Sequence, residues 1–436
     1  MIAKSNRLQL PKGYAVDLPV ESLPLPKHLY VPLTNARCSK AELSIKEGER
    51  VFFCQEVGSR HGPFFDQPIL APCSGTFLGL EKHGYRTGKA IDYLKFANDG
   101  EDALDPSVKT RSEQEIASLS QDELVALLQS HAAVGLGGSS FPSYIKMQTK
   151  EKIKTILVNG VECEPYITAD YRALQQRCEE VIEALVLLQR IFDTEDARIC
   201  IKKKHAELLL PFKRALAKYP GCTVTMQLLG SFYPQGWEVD MIRVATGIKV
   251  APGRLPASYG ILNFNVNSMI QLWHIVKYGM PVMEREINVN GEGILAPKTL
   301  RVRVGTPFSA LIEACGGYRE TKGEKTMIVG GAMMGVSLPN DDCITTPTVT
   351  SIVVNPKKEY REEPCVRCSS CVLSCPAHLH PVTVMSVMKT MPVDKQKIKL
   401  LHPERCMLCG LCSYVCTSRI RLTDYMRRAQ VIAKLP

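Results

Sequence analysis

Cys365-Val366-Arg367-Cys368-Ser369-Ser370-Cys371-Val372-Leu373-Ser374-Cys375-Pro376 is the stretch on which the reading of this chain turns. Its spacing, C-x2-C-x2-C-x3-C-P, returns as Cys406-Met407-Leu408-Cys409-Gly410-Leu411-Cys412-Ser413-Tyr414-Val415-Cys416, with Thr417 in place of the final proline. Three thiolates at such intervals curl round one corner of an iron-sulfur cube, and the fourth, on the following helical turn, points toward a second cube. The pattern predicts one [4Fe-4S] cluster on Cys365, Cys368, Cys371 and Cys416, and another on Cys406, Cys409, Cys412 and Cys375. A four-thiolate zinc is the competing assignment, and it leaves half of these cysteines without a purpose. Proline after such a run shapes the backbone and ligates nothing, so Thr417 is expected to alter only the turn. His378, His380 and His402 read as ordinary hydrogen-bonding residues, and Met385 and Met388 as packing.

The remaining nine of the 17 cysteines are scattered singly. The 436 residues are 45% hydrophobic and 22% charged, enough for about three domains with cores of their own. Disorder, coiled coil and collagen are excluded. No window approaches the ~18 uninterrupted apolar residues of a membrane-spanning helix, and the longest candidate, 181–192, is broken by Glu183, Gln189 and Arg190. Lys4 and Arg7 precede no apolar segment, so no secretory signal and a cytoplasmic location are expected. Reducing conditions there keep thiols free, which removes a disulfide framework. The net charge of +10 suits an acidic partner or anionic surface. Lys202-Lys203-Lys204 is the only basic run and no nucleic-acid-binding signature accompanies it, so no nucleic-acid partner is expected.

Toward the N-terminus, residues 27–97 read as short strands with turns, at 29–33, 41–45, 51–53, 68–71 and 75–80. The turns at Lys46-Glu47-Gly48-Glu49 and Ala71-Pro72-Cys73-Ser74-Gly75 look like those of a barrel-sandwich hybrid. No lysine stands at the hairpin tip to bear a prosthetic group. From about 122 to 250 the pattern becomes alternating strand and helix, predicting a mostly parallel sheet that holds ligands at its C-terminal edge. Two loops there carry chemistry. Gly135-Leu136-Gly137-Gly138-Ser139-Ser140-Phe141-Pro142 lets the backbone approach a phosphate or flat ring, ahead of a helix containing Lys146. Val158-Asn159-Gly160-Val161-Glu162-Cys163-Glu164-Pro165-Tyr166 places an amide and two carboxylates past a strand end, suited to sugar hydroxyls. Tyr233-Pro234-Gln235-Gly236-Trp237-Glu238 opens a helix running to Gly247, with Glu238 as a further sugar ligand or a first-turn acid. Residues 287–317 suggest a small β-grasp unit with a helix at 308–314, and 345–363 an approach to the cysteine runs.

Taken in order, Gly135–Pro142, Asn159–Thr168, Tyr233–Gly247, Val329-Gly330-Gly331-Ala332-Met333-Met334-Gly335 and the two cysteine runs resemble the RnfC family across nearly the whole chain. The central part is similar to the NADH-binding flavoprotein subunit of respiratory complex I. The resemblance implies a multidomain α/β protein: a barrel-sandwich hybrid N-domain at 1–110, a Rossmann-like NADH/FMN core at 111–260, an SLBB β-grasp unit at 261–345 and a helical two-cluster ferredoxin-like domain at 346–436. It implies FMN and NAD(H) besides the two [4Fe-4S] clusters. Gly135, Gly137, Gly138 and Lys146 are then expected to cradle FMN, and Phe141 to stack near the nicotinamide nucleotide. Asn159, Glu162 and Glu164 are expected to line the flavin and nicotinamide side, the two glutamates as catalytic residues. Gly236 and Glu238 are expected to close the site, and Asn265 to contact FMN.

Implied partners are the other Rnf-type subunits, which would hold the chain at the cytoplasmic face of a membrane, with a soluble carrier serving a dedicated reductase as the alternative. Arg405, Arg419, Arg421, Arg427 and Arg428 could steer an acidic ferredoxin or flavodoxin. Several motif positions depart from the family pattern. Ser140 replaces a glycine, Trp237 stands where a small or acidic residue is usual, Val161 replaces an acid found in complex I, and Ala332 replaces a proline. Ser140 and Trp237 are expected to crowd the nucleotide, which would leave a cluster-bearing adaptor as a third reading.

Overall fold

The computed structural model describes residues 18–435 apart from Ser139, Thr321 and Lys322. The readings of Lys4, Arg7 and Ser139 lie outside the described residues. Two small antiparallel sheets form the N-terminal unit. One runs His28–Pro32, Ala90–Asn98, Gly75–Gly84, Arg50–Val51, and the other Lys40–Leu43, Glu56–His61, Asp66–Leu70. Leu29, Val51, Val57, Ile69, Phe77, Leu94 and Phe96 fill the space between them. The expected sandwich is therefore present, with two strands the sequence had hidden. Glu56–His61 looks polar because its Arg60 is buried for another purpose, donating to the backbone carbonyls of Pro32 and Leu33. Gly75 is required here: its φ is +140°, and a Cβ would stand 1.9 Å from the Ala97 carbonyl oxygen.

The central sheet has the order Thr225–Leu229, Asp196–Lys202, Thr155–Gly160, Ile261–Asn265, all parallel. Its strands alternate between two cores, as a period of two demands. Ile156, Val158, Ile199, Leu262 and Phe264 pack on helices Ala169–Phe192 and Val266–Tyr278. Leu157, Cys200 and Ile261 face helix Glu238–Thr246 on the other side. The boundary expected at 260 is thereby corrected, since Ile261–Asn265 pairs with Thr155–Gly160 and carries the unit through Tyr278.

The third unit is a mixed six-stranded sheet, ordered Val20–Ser22, Lys298–Arg303, Glu284–Asn290, Ser351–Pro356, Lys325–Val329, Val336–Leu338. Helix Phe308–Ala314 buries Phe308, Leu311 and Ile312 against it. Ser351–Pro356, expected in the approach to the cysteine runs, is a central strand of this sheet, so the boundary at 345 also moves. Its run Ile352-Val353-Val354 is buried on both faces, as an interior strand must be. The C-terminal unit is helical, with Pro381–Met388 and Lys395–Leu400 packed on Leu422–Lys434 around Val384, Ile398 and Met426. Among the described residues no helix is long and apolar enough to cross a membrane.

Arg303 rivets the third sheet to the N-terminal sandwich. It donates to Asp102 at 2.6 and 2.9 Å and to the Pro72 carbonyl at 3.0 Å, with its guanidinium carbon 4.2 Å from the centre of the Phe53 ring. Removing one partner of such a pair leaves a buried charge uncompensated. Asp102→Ala is expected to destabilise the protein by about 2–3 kcal/mol, read as an earlier thermal transition. A transition unmoved from wild type would remove the rivet from the account.

Candidate functional site

Three loops meet at the C-terminal edge of the parallel sheet. The glycine loop closes on itself through Gly135 N to Phe141 O at 2.8 Å and Ser140 N to Gly135 O at 3.2 Å. Leu136 N donates to Ser268 Oγ at 2.9 Å, which seats the loop on the helix following Asn265. A Cβ on Gly137 would stand 3.2 Å from Asn265 Cβ, so a side chain there would push the loop slightly off Asn265. Ser140 adopts φ +50°, keeping the left-handed backbone that a glycine would take.

The second and third loops are zipped together. Asn159 Nδ2 donates to the Gly236 carbonyl at 2.9 Å, and Asn159 Oδ1 accepts from Val161 N at 3.0 Å. A Cβ on Gly236 would sit 2.2 Å from the Val161 carbonyl oxygen. Glu238 accepts from Asn263 Nδ2 at 2.9 Å, and Lys146 Nζ donates to Asn263 O at 2.8 Å. Burial lowers the Lys146 ammonium pKa, against the opposing pull of Glu238. Asn263 Oδ1 is buried with no partner among the described residues, an acceptor awaiting a donor.

Asn265 caps its helix and also donates to Asp170 at 2.7 Å, as does Asn267. Glu162 Oε1 accepts from Asp170 N at 3.1 Å, and Lys202 Nζ donates to the Glu162 carbonyl at 2.6 Å. Burial, reinforced by neighbouring Glu162, pushes the Asp170 carboxyl up to about 7. Gly137, Lys146, Asn159, Glu162, Gly236, Glu238 and Asn265 thus share one set of interlocked loops. Phe141, from the end of the glycine loop, lines a cleft with Phe65 and Tyr144. Asn263, Asp170, Asn267 and Lys202 were missed by sequence reasoning. The signal for Asn263, Lys202 and Asn267 was a polar residue inside or just after an otherwise apolar strand, and Asp170, in the first turn of a helix, gave none.

Glu164 reaches in another direction. It accepts from Tyr233 Oη at 3.2 Å and from Met333 N at 3.1 Å, and Gly331 leaves the room it occupies. The same Tyr233 hydroxyl donates to the Cys409 carbonyl at 2.6 Å. Glu164 therefore sits at the junction between the loops and the second cysteine run.

The two runs repeat their backbone as well as their spacing. Arg367 and Leu408 both take positive φ, 54° and 57°, and each donates its N–H to the sulfur two residues before it, at 3.4 Å. Leu379 N to Cys375 Sγ and Ile420 N to Cys416 Sγ, at 3.3 and 3.4 Å, form the second matching pair. Such N–H···S contacts stabilise thiolates and tune the potential of an attached cluster. Cys365, Cys368, Cys371 and Cys416 line one cavity of about 340 Å³. Cys406, Cys409 and Cys412 lie close enough to Cys375 to feel its charge. Burial pushes the Cys409 and Cys412 thiols up to about 12 and about 11, so an adjacent cation is needed to hold them as thiolates. Among the described residues no three His, Cys, Asp or Glu side chains converge on a point fit for one metal ion.

The family description "RnfC Barrel sandwich hybrid domain" matches residues 7–101, "Nuo51 FMN-binding domain" 128–274, "SLBB domain" 287–337 and "4Fe-4S dicluster domain" 364–420. The C component of the Na+-translocating ferredoxin:NAD+ oxidoreductase complex of Acetobacterium woodii is 29% identical over 388 residues, covering 87% of this chain and 84% of that protein. Its proton-translocating counterpart from Clostridium ljungdahlii is 28% identical, covering 85% and 80%. The C component of the ion-translocating oxidoreductase complex of Rhodobacter capsulatus is 29% identical, covering 85% and 71%. A crystal structure of an NAD+-reducing [NiFe]-hydrogenase shares the fold at TM-score 0.50 and 14% identity, over 74% of this chain and 68% of that one.

Asp170 supplies a pH test. Its carboxyl pKa is raised from 3.8 to about 7 on folding, so the folded state binds the proton more tightly than the unfolded one. The resulting stabilisation is complete below about 3.8 and is lost as pH rises through about 7. Wild type is expected to lose thermal stability relative to Asp170→Asn as pH is raised from 5 to 8. Parallel pH profiles for the two proteins would place the Asp170 proton elsewhere.

Proposed function

The chain belongs to the RnfC family, and from that premise we propose that it is an electron-transfer subunit linking NADH to two [4Fe-4S] clusters through FMN. The carrying observation is the Tyr233 hydroxyl, whose one proton lies between the carbonyl of Cys409 in the second cysteine run, at 2.6 Å, and Glu164 of a flavin-side loop, at 3.2 Å. FMN supplies the conversion between a two-electron hydride donor and one-electron acceptors.

The residues present fit these groups. Gly137 leaves a close approach to Asn265, Lys146 brings a buried positive charge, and the free Asn263 Oδ1 suits an N–H donor such as a flavin ring offers. Glu162 is held by its neighbours at the rim of these loops, where it would bind or orient the dinucleotide. Glu164 would act mainly by positioning, since it fixes Tyr233 and Met333 across the junction.

On this reading the two clusters act in order. The Cys406, Cys409, Cys412 and Cys375 set lies on the side of the flavin loops, where Cys409 and Leu411 pack with Tyr233 and Cys163. Cys365 and Cys368 of the other set are exposed. Electrons from NADH would enter at the buried set and leave at the exposed one, where another subunit of an ion-translocating ferredoxin:NAD+ oxidoreductase would receive them. Val366, 68% exposed between two ligands of that set, marks a rim left open to a partner.

Anaerobic preparations are expected to hold about eight irons and one flavin per chain. NADH should bleach the flavin absorbance and then reduce both clusters. Cys368→Ser should remove one cluster and leave the other reducible by NADH, while Cys409→Ser should disconnect NADH from whatever iron remains. About four irons in wild type, or NADH reduction surviving Cys409→Ser, would overturn this order. Glu164→Gln is expected to slow cluster reduction while iron content stays intact.

A further inference from the structure

The N-terminal sandwich places aromatic rings against the nucleotide-binding unit. Its Glu56–His61 and Asp66–Leu70 strands join in a hairpin whose tip is Gly62-Pro63-Phe64-Phe65. The turn is closed by Gly62 N donating to Phe65 O at 3.0 Å. The tip is anchored on both sides. Phe65, partly buried, packs against the core of the parallel-sheet unit. A Cβ on Gly62 would stand 2.5 Å from the Arg37 carbonyl oxygen, so the loop carrying Arg37 packs directly beneath the turn.

Phe64 is 89% exposed on this fixed support. It lines an open-sided cleft of about 510 Å³ with Phe65, Arg37, Asp66, Phe141 and Tyr144. The volume is within the usual range of small-molecule sites, roughly 300–1,000 Å³. The Arg37 guanidinium carbon lies 5.7 Å from the centre of the Phe141 ring. Phe141 comes from the glycine loop itself, which ties the cleft to the flavin side. An isolated exposed phenylalanine needs no explanation. One facing further rings across a cleft, with a cation beside them, is a stacking platform for a planar, anionic ligand.

We propose that the hairpin tip of the sandwich domain forms one wall of the adenylate half of the NADH site, with Phe64 stacking on the base and Arg37 facing the phosphates. The inference rests on the NADH reading above and adds to it a role for a domain outside the flavoprotein core. It also assigns Phe64 to binding alone, since the ring lies in the cleft and not among the residues around Asn159 and Asn263.

The test compares ligands with and without the adenylate half, on the full chain with its clusters and flavin loaded. ADP-ribose binding, followed by calorimetry, should weaken about tenfold in Phe64→Ala, recover in Phe64→Trp, and weaken in Arg37→Leu. KM for NADH should rise to a similar extent in Phe64→Ala with kcat retained. Reduced nicotinamide mononucleotide, which lacks the adenylate, should be used equally by wild type and Phe64→Ala. Equal ADP-ribose binding by wild type and Phe64→Ala, or no binding by wild type, would overturn the proposal. An equal loss with both reduced nucleotides would do the same. Failure of NADH to bleach the wild-type flavin would instead strike the functional reading, and is scored separately from ADP-ribose binding.

Discussion

Tyr233 is almost fully buried, and its hydroxyl must find partners where water cannot reach. Leaving such a group unpaired costs about 1–3 kcal/mol. Its one proton is shared between the Cys409 carbonyl at 2.6 Å and the Glu164 carboxylate at 3.2 Å, so a single hydroxyl links the loops that carry them. Backbone positions without side chains make the meeting close enough. A Cβ on Gly331 would collide with the Glu164 carboxylate, and one on Gly410 would come within 2.8 Å of the Met333 carbonyl oxygen. The glycine-rich turn of the third sheet is therefore a spacer that brings the cysteine unit against the parallel sheet. Burial raises the Tyr233 pKa, with Glu164 adding to the effect, so the phenol keeps its proton and stays a donor.

With that junction fixed, the arrangement of sites follows from sheet topology. The loops containing Glu162, Glu238 and Asn265 all lie beyond the C-terminal ends of parallel strands, the crevice where open α/β sheets receive ligands. A redox pair placed there is shielded on one side by the second cysteine run. The first run, related to it by a repeat of spacing, left-handed residues and N–H···S contacts, is turned outward. Duplication thus gives two similar metal-binding loops, and docking makes them unequal in burial.

What the sequence disclosed depended on how local the signal was. The cysteine spacings and helix Phe308–Ala314 were legible because their determinants lie within a dozen residues. Gly137, Lys146, Asn159, Gly236, Glu238 and Asn265 were singled out through motifs, and the structure brings them to one set of loops. The strand Ser351–Pro356 and the pairing of Ile261–Asn265 were assigned to the wrong units, because a run of apolar residues does not name its neighbour. Asn263 and Asp170 passed unnoticed because their importance comes from partners far along the chain, Lys146 and Glu238 for one and Asn265 and Asn267 for the other. Phe64 gave no sign because an exposed turn residue has meaning only with the facing unit present.

Trp237 shows how a departure from a motif can be absorbed by a distant surface. At the neck of the third loop a large ring is expected to crowd a nucleotide. It instead packs against the buried apolar cluster of the cysteine unit, which includes Cys375, Leu379 and Val384, from the start of the helix that carries Glu238. The tryptophan adds apolar contact to the junction that Tyr233 makes by hydrogen bonding, and Gly236 before it still meets Val161 without obstruction. Ser140, the other departure, adopts a left-handed backbone, φ +50°. The adaptor reading rested on these two residues closing the pocket. One ring is thus turned onto the metal-binding unit, and the bulk of Trp237 is accommodated there.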